Sequence, residues 1–186
     1  SVNGLQLEVR THPWDKAIYV NAMARNKRIY EVTGLPEVTA TWPACKLLWI
    51  KRNEPEVWAR TKKIFLLEDY LLYRLTGKFI SEKTLQSSTI YFDISKGTWW
   101  DEMLEFIGVS PDMPPELPDS ARQVGEYKGI KIVTSAIDQI AGAIGAGVTK
   151  EGIISEMTGT TMVIFVPSET VPDYNPDSKM PCHLNY

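Results

Sequence analysis

Asp138 and a small polar turn that follows it are the residues of this chain best suited to chemistry. Asp138 follows the run Ile132-Val133-Thr134-Ser135-Ala136-Ile137 and precedes a segment with helical character. In open α/β sheets a carboxylate at the C-terminal end of a strand faces the crevice where ligands bind. There it can act as a general base, taking a proton from a substrate hydroxyl while that oxygen attacks phosphorus. The helix behind it favours the ionised carboxylate. A plainer role is also open, since Asp138 can simply cap the helix and accept amide hydrogen bonds. Gln139 is then either a ligand contact or an ordinary first-turn residue. Twenty-two residues after Asp138 comes Thr160, within Gly159-Thr160-Thr161, flanked by apolar runs over 153–157 and 162–166 that read as strands ending at Pro167. Amides and hydroxyls packed in such a turn suit a phosphate, although an ordinary hairpin has the same appearance.

The elements that must position these groups are mostly helical. Residues 15–32 read as a basic helix, with Gly34 just beyond it. A second helix covers 44–52, and Pro55 opens a third, capped by Asn53. The clearest periodicity lies over 62–75, where Ile64, Leu67, Leu71, Leu72 and Leu75 make an apolar stripe closed by Gly77. Residues 87–92 fit either an extended segment or a short helix, and 99–107 a short helix ending at Gly108. The proline-rich stretch 113–118 is a connection. Residues 130–133 form a strand. Residues 139–148 form a helix whose Ala and Gly content predicts close packing against other backbone. The reversed glycine pattern Gly142, Gly145, Gly147 lies inside that helix instead of opening it, which excludes a dinucleotide fingerprint. Residues 167–186 read as a long loop. So much helix with so little strand describes an α/β fold whose sheet is incomplete.

Composition narrows the function classes. The chain has 186 residues, 44% hydrophobic and 23% charged, with a net charge of −3. That balance is typical of a soluble globular domain and gives no electrostatic case for nucleic acid or an anionic membrane. No apolar stretch approaches the ~20 residues that span a bilayer, and no basic-then-apolar leader is present. The two cysteines, Cys45 and Cys182, have no metal spacing and read as reduced thiols of a cytoplasmic protein. The two histidines, His12 and His183, exclude a histidine-rich metal centre. The tryptophans Trp49, Trp58, Trp99 and Trp100 fit core or interface better than a sugar-stacking platform.

Four stretches in order carry a family likeness. Pro43-Ala44-Cys45-Lys46-Leu47-Leu48-Trp49-Ile50-Lys51-Arg52-Asn53 resembles the P-x-x-K-Φ-x-W-Φ-x-polar-N signature of the FGGY carbohydrate kinases, Φ being apolar. Glu68-Asp69-Tyr70-Leu71-Leu72-Tyr73-Arg74-Leu75-Thr76-Gly77 is similar to the D-Y-L-x-x-x-L-T-G segment that follows it. Leu117-Pro118 with Val124-Gly125 resembles the family's L-P…V-G connection. Asp138-Gln139-Ile140-Ala141-Gly142-Ala143 and Gly159-Thr160-Thr161 complete the set, over about residues 29–166.

The resemblance implies an actin-like ATPase (ribonuclease H-like) fold of two domains, with sugar and ATP meeting in the cleft. It implies Asp138 as the general base and a substrate contact, Gln139 as a polyol contact, and Gly159, Thr160 and Thr161 as the loop facing nucleotide phosphates. Mg²⁺ would neutralise the triphosphate, with no metal ligand expected from this chain. The likeness also has gaps. The family's D-x-G-T phosphate loop and large adenosine-binding domain have no counterpart here, and Thr41 departs from the signature. On this reading residues 1–150 are the later part of the first domain and 151–186 the opening hairpin of the second. The chain alone is then expected to be inactive. The expected substrate is a xylulose-like ketose first, and a glycerol- or gluconate-type substrate next; a homodimer is admitted. A non-catalytic sugar- or partner-binding module is the rival.

Overall fold

The computed structural model describes residues 8–11, 18–21 and 26–184. Strand β1 (Glu8–Thr11) pairs antiparallel with β2 (Ile18–Asn21). Helices α1 (Asn26–Thr33), α2 (Pro43–Asn53), α3 (Pro55–Arg60), α4 (Leu67–Thr76) and α5 (Lys83–Gln86) follow. The short strands β3 (Phe92–Asp93) and β4 (Thr98–Trp99) make a hairpin ahead of α6 (Asp101–Ile107). The chain then forms β5 (Gln123–Tyr127) and β6 (Ile130–Val133), helix α7 (Asp138–Gly145), and the hairpin β7 (Ser155–Thr158) and β8 (Met162–Phe165). Among the described residues each sheet is a single antiparallel pair. Two-stranded sheets are marginal in water without a helix or another layer to cover them, so packing by helices decides which of them is secure.

The main core lies between α1, α2, α6 and the 90–94 segment. Ile29, Phe92, Met103 and Ile107 are fully inaccessible there, and Leu35, Leu48, Ile90 and Tyr91 are buried with them. Pro43 starts α2, where its missing N–H is not needed, and the helix buries Ala44, Cys45 and Leu48. The tryptophans fall where an interior reading puts them: Trp100 is buried, while Trp49, Trp58 and Trp99 pack at the core's edge.

Several boundaries differ from the sequence expectation. Among the described residues of the helix expected over 15–32, Asn26–Thr33 is helical, while Ile18–Asn21 is a strand. Its β-branched and aromatic residues pair as Val20 with Val9 and Ile18 with Thr11. His12, Asp15 and Arg25 lie outside the described residues. Asn53 does not cap α3; it ends α2 and its side chain donates to the Trp49 carbonyl, while Glu54 takes the cap position.

The stripe expected from residue 62 also starts late. Asp69 Oδ2 accepts the Leu66 amide at 2.8 Å and fixes the start of α4 at Leu67. Ile64 leaves the helix, donating its amide to the Met113 carbonyl at 3.0 Å. Leu72 is buried, yet Leu67 and Leu71 are 79% and 54% exposed. Trp99 belongs to β4, paired with Phe92, so α6 begins two residues later than expected. Strand β5 stands where only a connection was read. Lys128 and Gly129, with φ of 51° and 80°, turn it into β6 between the paired Tyr127 and Ile130, the doubly positive turn that suits a two-residue hairpin loop.

The last segment has no regular structure but docks on the core. The Cys182 amide donates to the Gly34 carbonyl at 2.8 Å, Tyr174 stacks tilted on Tyr30, and Lys179 pairs with Glu37. Gly34 has φ of 71°, and a Cβ there would collide with the Cys182 backbone. Glycine is therefore required on both counts. His183 Nδ1 lies 3.2 Å from Ser87 Oγ.

Candidate functional site

Strand β6 and the short crossover after it place Asp138. Thr134 directly follows β6 and is buried; its amide donates to the Arg122 carbonyl at 2.9 Å and its hydroxyl accepts the Arg122 amide at 3.1 Å. The chain then turns through Ile137, which occupies the cap position of α7 with extended backbone. The Ile137 amide donates to Thr84 Oγ1 at 2.8 Å. Asp138 is thus the first residue inside the helix and not its cap. Its Oδ1 accepts the Gln139 amide at 2.9 Å, and the side chain is exposed at the helix N-terminus. The positive end of the helix lies directly behind a carboxylate that faces solvent. Gln139 is half-buried beside it.

Helix α7 buries Ile140 and Ala143 and packs on the β7–β8 hairpin. The contact is tight at Gly142, where a Cβ would come within 2.8 Å of Met157 Cε. The close approach to other backbone expected of the glycine-rich helix is not found at its glycines: the neighbour at Gly142 is a side-chain methyl, and a Cβ at Gly145, or at Gly147 beyond the helix, would meet nothing within 4 Å. The helix also stops at Gly145, short of the expected 148.

The expected hairpin is present, but its first strand starts at Ser155 instead of 153 and runs on to Thr158, and its second ends at Phe165. Thr158 pairs with Met162, leaving Gly159, Thr160 and Thr161 as the three-residue turn. The Gly159 amide donates to the Thr161 carbonyl at 2.9 Å, which holds the turn tight. All three residues are exposed, and nothing beyond Thr161 would obstruct the glycine within 4 Å. The Gly159 amide is engaged inside the turn, and the exposed Thr160 and Thr161 hydroxyls are donors that suit a phosphate group. Packing brings Asp138's helix and this turn's hairpin into one unit, but no hydrogen bond joins Asp138 or Gln139 to residues 159–161. Among the described residues no group of three or more His, Cys, Asp or Glu side chains gathers as a metal site. No described helix is long and apolar enough to cross a membrane.

Sequence reasoning missed Thr84 and Glu82 as parts of this region. The signal available was an acidic residue two positions before a threonine at a helix start, a local capping pattern. Nothing in it announces a bond to a backbone amide 53 residues away.

Residues 8–145 match the FGGY family of carbohydrate kinases, N-terminal domain. The chain is 30% identical over 189 residues to a xylulose kinase of Lactococcus lactis, covering 90% of this chain and 38% of that protein. It is 32% identical over 136 residues to a xylulose kinase of Escherichia coli, covering 68% and 28% respectively. The crystal structure of xylulose kinase from Rhodospirillum rubrum superposes with a TM-score of 0.76 at 24% identity, over 89% of this chain and 36% of that one. A Plasmodium falciparum glycerol kinase with ADP superposes with a TM-score of 0.72 at 23% identity. The chain therefore spans between 28% and 38% of the length of these relatives. Its fold is part of the actin-like ATPase type that those kinases share. The matched residues, more than half of the chain, establish that it belongs to the FGGY family of carbohydrate kinases.

Proposed function

We propose that this chain is the part of an ATP-dependent carbohydrate kinase that holds the sugar-side base and one of its phosphate loops. The observation that carries the reading is Asp138 at the N-terminus of a helix packed directly on the hairpin that bears Gly159, Thr160 and Thr161. In this role Asp138 accepts the proton of a sugar or polyol hydroxyl as that oxygen attacks the γ-phosphorus. Gln139 orients the substrate's neighbouring hydroxyls. The turn at 159–161 presents the Thr160 and Thr161 hydroxyls to the phosphates, and Gly159 leaves room for their approach. ATP supplies the phosphoryl group, and Mg²⁺ neutralises the triphosphate when bound.

A xylulose-like ketose is the favoured substrate because xylulose kinases recur among the relatives. Glycerol- and gluconate-type substrates follow, as kinases of those names also match. The domain boundary belongs to the same proposal, with residues 1–150 in the first domain and 151–186 opening the second. The family match ending at residue 145 supports it. A cytoplasmic location is part of the same proposal. The 186-residue chain by itself is expected to be inactive. A non-catalytic sugar- or partner-binding module is the second reading, favoured by the open apolar face of β8 and the residue after it, where Met162, Ile164 and Val166 are 64%, 58% and 52% exposed.

The test is sugar-dependent ADP release across a panel of ketoses, polyols and sugar acids. It is run on this chain and on a polypeptide extended to the length of the relatives. The extended protein should phosphorylate a ketose, and Asp138→Asn should lower its turnover by about 10²–10⁴-fold while nucleotide binding persists. Unchanged turnover would sink the base assignment, and turnover by the 186-residue chain would sink the expectation of inactivity.

A further inference from the structure

The crossover that delivers Asp138 is held from outside its own strand and helix. Thr84 is 1% exposed, and its Oγ1 accepts the Ile137 amide at 2.8 Å. That amide belongs to the cap residue of α7, immediately before Asp138. A cap amide has no partner within its own helix, so its direction is set by whatever acceptor meets it. A hydroxyl that accepts can also donate, and the Thr84 proton goes to Glu82 Oε2. Donation to a carboxylate strengthens the threonine oxygen as an acceptor for Ile137.

Glu82 is fully buried, and hydrogen bonds on both oxygens hold it in place. Oε1 accepts the Thr84 amide at 2.9 Å and Ser120 Oγ at 2.7 Å, and Oε2 accepts the Leu85 amide at 2.9 Å besides the Thr84 hydroxyl. A carboxylate so enclosed cannot shift without breaking several charge-assisted bonds. It ties together three separate stretches: the first turn of α5, the loop at Ser120 that leads into β5, and through Thr84 the step from β6 to α7.

We infer that Thr84, backed by Glu82, is a positioning residue that fixes the Ile137–Asp138 step and so aims the Asp138 carboxylate. The inference rests on the kinase reading for the purpose of that aim, but not for the contacts themselves. Thr84 touches no reacting atom. It acts through one backbone amide, which is why a neighbour distant in sequence can govern the base.

The experiment uses the 186-residue chain and needs no turnover. Amide exchange at Ile137 and the carboxyl-carbon chemical shift of Asp138 are measured by NMR in the wild type and in Thr84→Val, Thr84→Ser and Ser120→Ala. Thr84→Val keeps the shape and removes the hydroxyl. It should speed exchange at Ile137 by at least about 10-fold, the loss of one hydrogen bond of ordinary strength, and should move the Asp138 signal. Thr84→Ser should restore both. Ser120→Ala removes a different Glu82 donor and serves as the control for general loosening, with the Asp138 signal unmoved. If Thr84→Val does not fold, Thr84→Ser against Thr84→Ala supplies the same contrast. Wild-type exchange and an unmoved Asp138 signal without the hydroxyl overturn the inference, as does equal movement in Ser120→Ala. A negative sugar panel would overturn the kinase reading and leave these signals as they are, so the two failures are distinguishable.

Discussion

The helical core and the hairpin that carries the phosphate-turn candidate are built from similar residues and treated oppositely by the fold. Around α1, α2 and α6 large side chains are enclosed, with Ile29, Phe92, Met103 and Ile107 at 0% exposure. Strand β8 is apolar on both faces. Val163 and Phe165 share the side of Met157, whose methyl lies against α7, whereas Met162, Ile164 and Val166 on the opposite side are 64%, 58% and 52% exposed. A strand apolar on both faces belongs in the middle of a covered sheet. The difference teaches that enclosure in this chain is concentrated away from the candidate site, and that the candidate site's hairpin is covered from one side only.

Truncation should separate the regions most sharply. Phe92→Ala should cost about 3–5 kcal/mol and Ile107→Ala about 2–5 kcal/mol by the usual sum of lost transfer and cavity terms. Ile164→Ala, an outward position, should change stability by less than about 0.5 kcal/mol. Urea unfolding of the three variants decides it, and a cost at Ile164 similar to that at Ile107 would show a covered hairpin instead.

The next effect sharpens the boundary of the enclosed region. Asp69 is fully buried, its Oδ1 has no hydrogen-bond partner, and the residue lines a cavity of about 10 Å³ together with Gln86 and Tyr91. Burial raises its carboxyl above the ordinary value, against the lowering pull of Ser81, the Leu66 amide and Gln86. A raised folded value means that the group favours folding when protonated. That contribution is full below the ordinary carboxylate value and is lost as pH rises through the raised one. Asp69→Asn keeps an acceptor for Leu66 and should flatten this difference, at little cost near neutrality. Asp69→Ala should cost about 1–3 kcal/mol by stranding buried donors. Stability compared between Asp69→Asn and wild type from pH 4 to 8 checks the sign.

The smallest effect lies in the docked tail. Burial lowers the His183 imidazole below its ordinary value. Its neutral form therefore suits the docked state, and that contribution is full above about 6.5 and is lost as pH falls through the lowered value. Amide exchange at Cys182, bonded to Gly34, should quicken in mild acid while exchange at the α6 cap amide of Gly108 stays slow. Equal protection at both across that range would remove the distinction.

Much of this was readable from residue types with local consequences. Pro43 marks the start of α2, Gly77 and Gly108 stop their helices, and the apolar runs about Thr160 make the hairpin. The likeness to a kinase family was legible because it rests on short ordered segments. What escaped depended on partners far along the chain. Ile18–Asn21 is a strand because Glu8–Thr11 pairs with it, and β5 exists because a two-residue turn returns it to β6. The late start of α4 follows from one carboxylate reaching back to Leu66. The candidate site divided the same way. Asp138 and the turn were visible as residue types, while Thr84 became visible only when the fold set its hydroxyl against Ile137.

Gly142 has a mechanical consequence. With a Cβ at that position due to fall 2.8 Å from Met157 Cε, the clearance between α7 and the hairpin is set by a single absent methyl. The contact is made by the free end of a flexible methionine, so it couples helix and hairpin only while that methyl stays seated. Any hinge that swings the 159–161 turn must therefore either carry the Asp138 helix with it or first draw the Met157 tooth out of its notch.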